Sequence, residues 1–316
     1  MSADTREIAL SVVVPVYGCR DCVVTLYERL KAVLATAAPS HQIVFVDDRS
    51  PDGAWATLER IALEDPQVRA IRLTRNFGQH AAITAGLGHC DGHLAVVMDC
   101  DLQDPPEEIP RLLEKAREGY DIVLARRLQK KHPMLRRLAG RTFFRLLSVF
   151  NDAHIDGSFG SFSLITRRVI DAFMRFQDRD RHYLLIIRWL GFRVGSIDYV
   201  HQERLAGSSA YGLRALLGHA FDGLLFQTTA LLRLIVYLGF AVATLGALLM
   251  FYFVYLYFAH ALLPGWTSLS VLILVIGGFI IMSTGVTGLY IGKIFDQVRA
   301  RPLYVIDHIA QRNSPE

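Results

Sequence analysis

Short apolar runs alternate with longer segments of helical periodicity along the first part of the chain. The apolar runs are rich in Val, Ile and Leu and lie at residues 10–14, 42–46, 68–73, 94–98 and 121–125. Segments with the pattern of helices separate them, at residues 22–35, 55–63, 80–88 and 106–118. Strands separated by helices of this length predict an α/β domain with a mostly parallel sheet and right-handed crossovers.

Two long apolar stretches, residues 234–258 and 269–292, follow towards the C-terminus. No Lys, Arg, Asp or Glu lies between Leu234 and Gly292. Each stretch reaches the roughly 20 residues that a helix needs to cross a bilayer. A short turn containing Pro264-Gly265 joins them, so the pattern predicts a two-helix transmembrane hairpin. A buried hairpin of a soluble core is the alternative, and the length of both stretches disfavours it.

Basic residues predict the orientation of this hairpin. Arg233 precedes the first stretch, and Lys293, Arg299 and Arg301 follow the second, whereas the connecting loop has no Lys or Arg. The positive-inside rule then places both ends in the cytoplasm. The N-terminus lacks the pattern of a signal peptide, so we expect the α/β domain and both termini to be cytosolic.

Two further segments have an apolar face of helical spacing, residues 134–150 and 211–227. The first also carries four arginines, and a basic amphipathic helix beside a membrane anchor favours anionic headgroups. We therefore expect interfacial helices, with ordinary surface helices as the alternative. The predicted organisation is a cytosolic domain (1–210), an amphipathic helix (211–230), the hairpin (231–292) and a cytosolic tail (293–316).

Charge and cysteine content exclude some classes of protein. The formal net charge of +4 is too small to indicate nucleic-acid binding, and no aromatic-basic RNA signature accompanies it. Cys19 and Cys22 form a C-x-x-C without a second pair or histidines at ligand spacing, so the sequence predicts no zinc site. We interpret the four cysteines as ordinary reduced thiols, and a thioredoxin-type redox pair is the alternative.

Acidic residues follow two of the predicted strands. Asp47 and Asp48 end the second, and Asp99 and Asp101 end the fourth. Ligands of such sheets bind beyond the carboxyl ends of the strands, so both pairs could line one site. The segment from Asp99 to Gln103 presents two carboxylates and an amide at alternate positions, which suits Mg²⁺ or Mn²⁺ bridging a diphosphate. Neither a G-x-G-x-x-G nor a phosphate-binding P-loop is present, so a nucleotide would be held in another way.

Four segments together resemble the family-2 glycosyltransferases of glycosyltransferase-A fold: 11–17 (SVVVPVY), 46–52 (VDDRSPD), 75–80 (RNFGQH) and 98–106 (MDCDLQDPP). With the hairpin and the segment 291–305 (IGKIFDQVRARPLYV), the chain looks more narrowly like the polyprenyl-phosphate glycosyltransferases. These include dolichol-phosphate mannose synthases, bactoprenol glucosyltransferases and undecaprenyl-phosphate aminoarabinose transferases. The resemblance covers nearly the whole chain, and the order of the segments makes it specific.

The resemblance implies a role for individual residues on the donor side. Asp99 and Asp101 would be catalytic, and Asp99, Asp101 and Gln103 would hold Mg²⁺ or Mn²⁺. The nucleotide-sugar would be bound by Pro15, Tyr17, Asp47, Asp48, Arg75, Gly78, Gln79 and Asp99.

On the acceptor side, the resemblance implies a phosphate site and one more catalytic acid, Asp156. The phosphate would be bound by Arg126, Arg127, Arg204, Ser209 and Tyr211. Guanidinium groups match phosphate oxygens in a bidentate manner. Surface charges for the first two arginines and a simple turn for Asp156 are the alternatives. A phosphate monoester is largely dianionic at neutral pH and brings its own nucleophile, so we expect single displacement with inversion and without a strong general base.

The resemblance also implies the reaction and its place in the cell. One sugar would move from a UDP-sugar, or less readily a GDP-sugar, to undecaprenyl phosphate at the cytoplasmic face of an inner membrane. The product would serve cell-envelope glycan synthesis or lipopolysaccharide modification, and the enzyme would be a homo-oligomer, with a tetramer as the expectation. A processive polysaccharide synthase is one alternative, although Leu185 replaces the glutamine of its Q-x-x-R-W motif. A non-catalytic membrane adaptor of the same fold is the other.

Four positions in three segments depart from the family pattern. Gly18-Cys19 stands where relatives have Asn-Glu, Cys100 is the residue inside the D-x-D, and Ala210 stands where a lysine is usual. Gly18-Cys19 lacks one contact to the nucleotide that relatives are expected to make. Ala210 leaves more of the acceptor binding to the arginines.

Overall fold

The computed structural model describes residues 8–128, 158–176, 178, 181–202, 266–312 and scattered positions between 237 and 255. These residues divide into two compact units. The first contains the described residues up to 202 together with 301–312, and the second contains those from 237 to 300.

Eight strands of the first unit form one sheet. They are β1 (Leu10–Val16), β2 (His41–Asp47), β3 (Val68–Leu73), β4 (Leu94–Val97), β5 (Ile122–Arg127), β6 (Phe159–Thr166), β7 (Val194–Tyr199) and β8 (Ile306–Ala310). The first five overlap the five apolar runs, so the prediction of those strands is confirmed.

Helices of the first unit lie between these strands. They are α1 (Arg20–Ala37), α2 (Ala54–Glu64), α3 (Gln79–Gly88), α4 (Ile109–Arg117), α5 (Arg167–Met174) and α6 (Tyr183–Trp189). The predicted helix over 106–118 begins as a 3-10 turn at Pro106–Glu108 and continues as α4. Pro106 and Pro110 fit these first turns because the N–H groups that proline lacks have no partner there.

The order of the strands in the sheet is β7-β5-β6-β4-β1-β2-β3-β8. The strands β4, β1, β2 and β3 are parallel neighbours, and β5 is parallel to β7. The strand β6 is antiparallel to both β4 and β5, and β8 is antiparallel to β3. The predicted α/β architecture with a mostly parallel sheet is therefore confirmed, with two antiparallel strands that the sequence pattern does not predict.

Both faces of the sheet are buried. All residues of β1 and β2 are buried, as expected for central parallel strands. Successive residues face opposite sides: Val12 and Val14 pack in a core with Leu26 of α1, and Val13 packs in a second core with Ile83 of α3. The sheet is thus fixed from both sides, and its loops at the carboxyl ends of the parallel strands are left for ligand binding.

The C-terminal strand β8 completes the sheet beside β3, with Ile309 paired to Ile71. Oδ2 of Asp307 forms ion pairs with Nη1 of Arg49 at 3.0 Å and Nε of Arg72 at 2.7 Å. The predicted tail over 293–316 therefore contains a strand. Five residues of mixed polarity carry too weak a pattern to predict one from the sequence.

The second unit contains the helix α7 (Trp266–Val298), which overlaps the predicted span at 269–292. Within it, residues 276–298 are long and apolar enough to cross a membrane, with a mean hydropathy of 1.4. It is the one such helix in the described part of the chain. The segments 134–150 and 211–230 and most of the predicted span 234–258 lie outside the described residues. The hairpin therefore stays a prediction.

Candidate active site

The ends of β1, β2 and β4 form one edge of the sheet. These strands are parallel neighbours, with β1 in the middle, so the loops that follow Val16, Asp47 and Val97 lie side by side. This places the two predicted acidic pairs at the same edge, as expected for a parallel sheet.

The carboxylate of Asp48 binds backbone N–H groups of the loop before α3. Its two carboxylate oxygens accept hydrogen bonds from the N–H groups of Phe77 and Gly78, at 2.7 and 2.8 Å. Burial raises its pKa, and these backbone donors counteract the rise. Gly78 has a φ of +96°, which favours glycine, and it directly precedes α3. Asp48 therefore fixes the loop before α3, and its predicted nucleotide contact stays a prediction.

Asp47 connects two loops of this edge through Ser50. Its Oδ1 accepts a 3.0 Å hydrogen bond from the Ser50 N–H, and the Ser50 hydroxyl accepts a 2.8 Å bond from the N–H of Gly18. Burial raises the pKa of Asp47, whose side chain lies beneath the surface. The structure thus gives Asp47 a role in holding the loops after β1 and β2 together.

Other predicted donor residues differ in exposure. Pro15 is buried within β1, whereas Tyr17 is 51% exposed just beyond it, so its ring is available to a ligand. The guanidinium of Arg75 lies over the ring of Phe77, 4.3 Å from the centroid. Of these residues, Tyr17 and Arg75 present side chains at the surface of the predicted nucleotide site.

Asp99 is the centre of the hydrogen bonds at the end of β4. Its Oδ1 accepts bonds from Nε2 of Gln79 and the hydroxyl of Ser161, both at 2.7 Å. Burial raises the pKa of Asp99 to about 6, and the charge of Asp104 contributes next, while Arg127 opposes the rise. Gln79 and Asp99, both predicted to bind the nucleotide-sugar, thus lie in contact with each other. Ser161 is not predicted by the sequence, because it arrives on the antiparallel strand β6.

Asp101 and Gln103 form a tight turn after Asp99. Oδ1 of Asp101 accepts a 3.2 Å bond from the Gln103 N–H, and Leu102 between them has a φ of +62°. The carbonyl of Gln103 accepts a 3.0 Å bond from the N–H of Gln202, which follows β7. Both predicted metal ligands are partly exposed at the site, and their loop is tied to the chain that leads towards Arg204.

The donor atoms of this loop fit a magnesium or manganese ion only in part. Among the residues that the structure describes, no three His, Cys, Asp or Glu side chains are grouped to hold a metal. Asp99, Asp101 and Gln103 supply two carboxylates and an amide. Burial and, after it, the charges of Asp104 and Asp101 raise the pKa of Asp99, and a bound cation would counter both by stabilising the charged carboxylate. Mg²⁺ is commonly bound by one or two carboxylates with phosphate oxygens and waters. The set therefore fits a metal that binds together with a diphosphate.

The two predicted acceptor arginines of β5 lie on opposite faces of the sheet. Nε and Nη2 of Arg126 donate to the two oxygens of Asp198, at 2.6 and 2.8 Å. Arg127 pairs in register with Tyr199 instead, and its charge acts on Asp99. Successive strand residues point to opposite sides, so only Arg127 lies beside the Asp99 loop.

Four predicted site residues, Asp156, Arg204, Ser209 and Tyr211, lie outside the described residues. Their roles stay predictions.

The four cysteines are free thiols. Cys19 nevertheless has a partner outside the C-x-x-C: its side chain is hydrogen-bonded to the thiol of Cys100. This contact and burial raise the pKa of Cys100. Two of the positions that depart from the family pattern thus touch each other at the ends of β1 and β4.

Comparison with known proteins identifies the family. The glycosyl transferase family 2 model matches residues 11–174. The SfII prophage-derived bactoprenol glucosyl transferase of Shigella flexneri is 33% identical, over 94% of this chain and 97% of that protein. The undecaprenyl-phosphate 4-deoxy-4-formamido-L-arabinose transferase of Proteus mirabilis is 34% identical, over 100% of this chain and 98% of that protein.

Among solved structures, glucosyl-3-phosphoglycerate synthase from Mycobacterium tuberculosis, crystallised with Mn²⁺ and UDP-glucose, superposes with a TM-score of 0.50. The match covers 69% of this chain and 77% of that chain at 13% identity, so it concerns the fold alone. It agrees with the glycosyltransferase-A-like α/β fold that the strand order shows. With the family model covering most of the α/β domain and relatives of this identity over nearly the full length, the chain belongs to glycosyl transferase family 2 and is a glycosyltransferase.

Proposed function

We propose that this glycosyltransferase moves one sugar from a nucleotide-sugar to a polyprenyl phosphate, with inversion at the anomeric carbon. The observation that carries the proposal is the placement of the Arg127 guanidinium, which lies 3.5 Å from Asp104 directly after the Asp99–Gln103 loop and whose charge acts on Asp99. One edge of the sheet thereby holds groups suited to a metal-bound diphosphate next to a group suited to a phosphate. The names of the two relatives, which specify bactoprenol and undecaprenyl phosphate, support the same acceptor.

The donor side would be assembled from the loops after β1, β2 and β4. Tyr17 is exposed where a base could stack, and Asp99 and Asp101 would face the diphosphate, with Gln79 orienting Asp99. A magnesium or manganese ion bound there would neutralise charge on the departing nucleoside diphosphate. The donor is a UDP-sugar in our proposal, with a GDP-sugar second. The two relatives are named for different sugars, so the sugar is left to experiment.

The acceptor side requires little chemistry from the protein. The phosphate of the lipid is largely dianionic at neutral pH and can attack the anomeric carbon itself. A guanidinium at that phosphate holds the two anionic substrates together, which is where most of the rate enhancement would arise. Arg127 would take this role in our proposal, and Arg204 and Ser209 would add to it.

The apolar helix α7 would hold the enzyme at the membrane that contains the lipid acceptor. The helix α7 is long and apolar enough to span a bilayer, and Lys293, Arg299 and Arg301 lie at its C-terminal end. The positive-inside rule puts that end and the catalytic domain in the cytoplasm. We propose a second span at 234–258, an inner-membrane location and a homo-oligomer, with a tetramer as the first expectation.

A transfer assay tests this function. The full chain in detergent is incubated with undecaprenyl phosphate, Mg²⁺ or Mn²⁺, and a panel of radiolabelled UDP- and GDP-sugars. We expect one chloroform-soluble product carrying a single sugar, lost with EDTA and in Asp101→Asn but retained in Glu114→Gln, which removes an exposed carboxylate of α4. The anomeric configuration of the product, read by NMR, should be opposite to that of the donor.

Each other outcome counts against the proposal. A lengthening polymer would indicate a processive synthase, and no lipid-linked product from any donor would contradict the polyprenyl-phosphate acceptor. Sugar transfer that persists in EDTA would contradict the proposed requirement for a divalent metal ion.

A further inference from the structure

Asp104 is a buried carboxylate directly after the Asp99–Gln103 loop, with a side chain that is 0% exposed. The hydroxyl of Tyr199 donates a short hydrogen bond to its Oδ1. Nη2 of Arg127 and Nδ1 of His201 lie 3.5 and 3.4 Å from the same oxygen. The Oδ2 atom has no hydrogen-bond partner among the described residues. Burying a carboxylate is costly unless its charge is paired, so Asp104 depends on the cation beside it.

Arg127 is in turn held from several sides. Its Nε donates a 3.1 Å hydrogen bond to the Tyr199 hydroxyl, the same hydroxyl that binds Asp104. A Cβ at Gly160 would lie 2.6 Å from Nη2 of Arg127, so the glycine leaves the space that the guanidinium occupies. The side chain is still 30% exposed, so the group is fixed but open to a ligand.

The neighbouring Arg126 shows the contrasting arrangement. Asp198 occupies both Nε and Nη2 of Arg126, and both side chains are partly exposed. The Tyr199 hydroxyl and Asp104 take up the Nε and Nη2 side of Arg127, whereas Nη1 has no hydrogen bond or ion pair among the described residues. A guanidinium that is oriented along one edge and open at its Nη1 end is suited to bind a phosphate oxygen.

We propose that Asp104 is a positioning residue, which with Tyr199 orients the guanidinium of Arg127 towards the acceptor phosphate. Asp104 itself is too buried to touch substrate, and it acts through Arg127. The proposal rests on the proposed function, since Arg127 must bind the lipid phosphate for its position to matter. It adds a residue to the site that the motif spacing assigned to no role.

Steady-state kinetics of Asp104→Asn test the proposal, because the substitution keeps the shape of the side chain and removes its charge. A loosened guanidinium should weaken acceptor binding, so kcat/KM for polyprenyl phosphate should fall about 10- to 100-fold. The change should lie mainly in the KM for the acceptor, with the KM for the nucleotide-sugar changed less than threefold. Asp198→Asn, the matched change beside Arg126, should leave both values near those of the wild type. The proposal would be overturned if kcat/KM for polyprenyl phosphate fell equally in both variants. It would also be overturned if Asp104→Asn changed only the KM for the nucleotide-sugar.

A double-mutant cycle separates positioning from general damage. Adding Asp104→Asn to Arg127→Ala should cause little further loss, because the residue through which Asp104 acts is gone. Independent, multiplicative losses would refute the proposal. Gly160→Ala should reproduce the acceptor-specific loss while leaving Asp104 intact, since its methyl group displaces the far end of a flexible side chain. Wild-type kinetics in Gly160→Ala would count against the proposal that the position of the Arg127 guanidinium determines acceptor binding.

A readout that does not depend on the reaction distinguishes this proposal from the proposed function. The Nε–H of Arg127, assigned in ¹⁵N spectra of the full chain by its absence in Arg127→Lys, should be protected from exchange with water. Asp104→Asn and Tyr199→Phe should each abolish that protection. If protection is lost as expected but the wild type transfers no sugar to polyprenyl phosphate, the proposed function fails and the positioning stands. If protection persists in Asp104→Asn, the positioning fails whatever the substrate is.

Discussion

Nε2 of Gln79 donates a 2.7 Å hydrogen bond to Oδ1 of Asp99, joining the first residue of α3 to the end of β4. The hydroxyl of Ser161 donates to the same oxygen. Among the described residues no hydrogen bond reaches Oδ2 of Asp99, which leaves that oxygen for a ligand. Gln79 therefore orients a carboxylate without blocking it, and several measurable consequences follow from this geometry.

Replacing Gln79 by Ala should impair use of the donor. The hydrogen bond to a carboxylate is worth enough that kcat/KM for the nucleotide-sugar should fall about 10-fold or more. Initial rates at varied donor concentration measure the effect. Gln67→Ala, at the start of β3 on the opposite edge of the sheet, is the matched control and should behave as wild type. Equal rates in both variants would show that Gln79 does not orient Asp99 in the working enzyme.

Replacing Asp99 by Asn should stabilise the metal-free protein at neutral pH. The pKa of Asp99 in the folded state is raised to about 6, above that of an unfolded chain, so the folded protein is favoured while Asp99 is protonated. That contribution is present below about pH 4 and is lost as the pH rises through about 6. At pH 7.5 in EDTA, the free energy of unfolding should rise by up to about 3 kcal/mol, as judged from the size of the shift.

Thermal unfolding of wild type and Asp99→Asn at pH 4 and pH 7.5 measures this effect. The difference in Tm should become small at the lower pH, where Asp99 of the wild type is neutral in the folded state and about half protonated in the unfolded chain. A lower Tm for the variant at pH 7.5 would show that ionised Asp99 is not destabilised by its burial and the nearby carboxylates. Metal-dependent UDP binding by the wild type should also weaken below about pH 6, since protonation of Asp99 competes with the cation.

The ion pairs of Asp307 should stabilise the attachment of β8. Asp307→Asn removes the partner of both Arg49 and Arg72, and partly exposed pairs of this kind contribute about 1 kcal/mol in total. Urea unfolding of the full chain should show a lower midpoint that approaches the wild-type value at high salt, because screening weakens the same pairs in the wild type. Glu114→Gln is the control. An unchanged midpoint would show that β8 is held by its backbone pairing alone.

Cys19 should be the thiol that alkylating reagents modify in the folded protein. Cys22, Cys90 and Cys100 are buried, whereas Cys19 is only half-buried. The contact with Cys19 and burial also raise the pKa of Cys100, which keeps this thiol protonated and unreactive. Mass spectrometry should find one N-ethylmaleimide adduct, absent in Cys19→Ser and reduced by Mg²⁺ with UDP. Labelling of a second cysteine under native conditions would contradict the burial of the pair.

The sequence alone determined the alternation of strands and helices from Leu10 to Arg127. That alternation is a local property, since buried strands and amphipathic helices each impose their own period on neighbouring residues. The positions of Asp47, Asp48, Asp99 and Asp101 followed from the same pattern, because the carboxyl ends of parallel strands share one edge. The family resemblance was likewise carried by contiguous segments, and the matching family model confirms it.

Only the tertiary structure decided which partners these residues have. Ser161 reaches Asp99, and Tyr199 reaches Asp104, across 62 and 95 positions of the chain, and no local period encodes such pairings. The antiparallel insertion of β6 between β4 and β5 and the return of β8 to β3 belong to the same class of contact. The structure also separated Arg126 from Arg127, which the motif had grouped. Adjacent residues of a strand point to opposite faces, and which face meets the site depends on how the whole sheet is assembled.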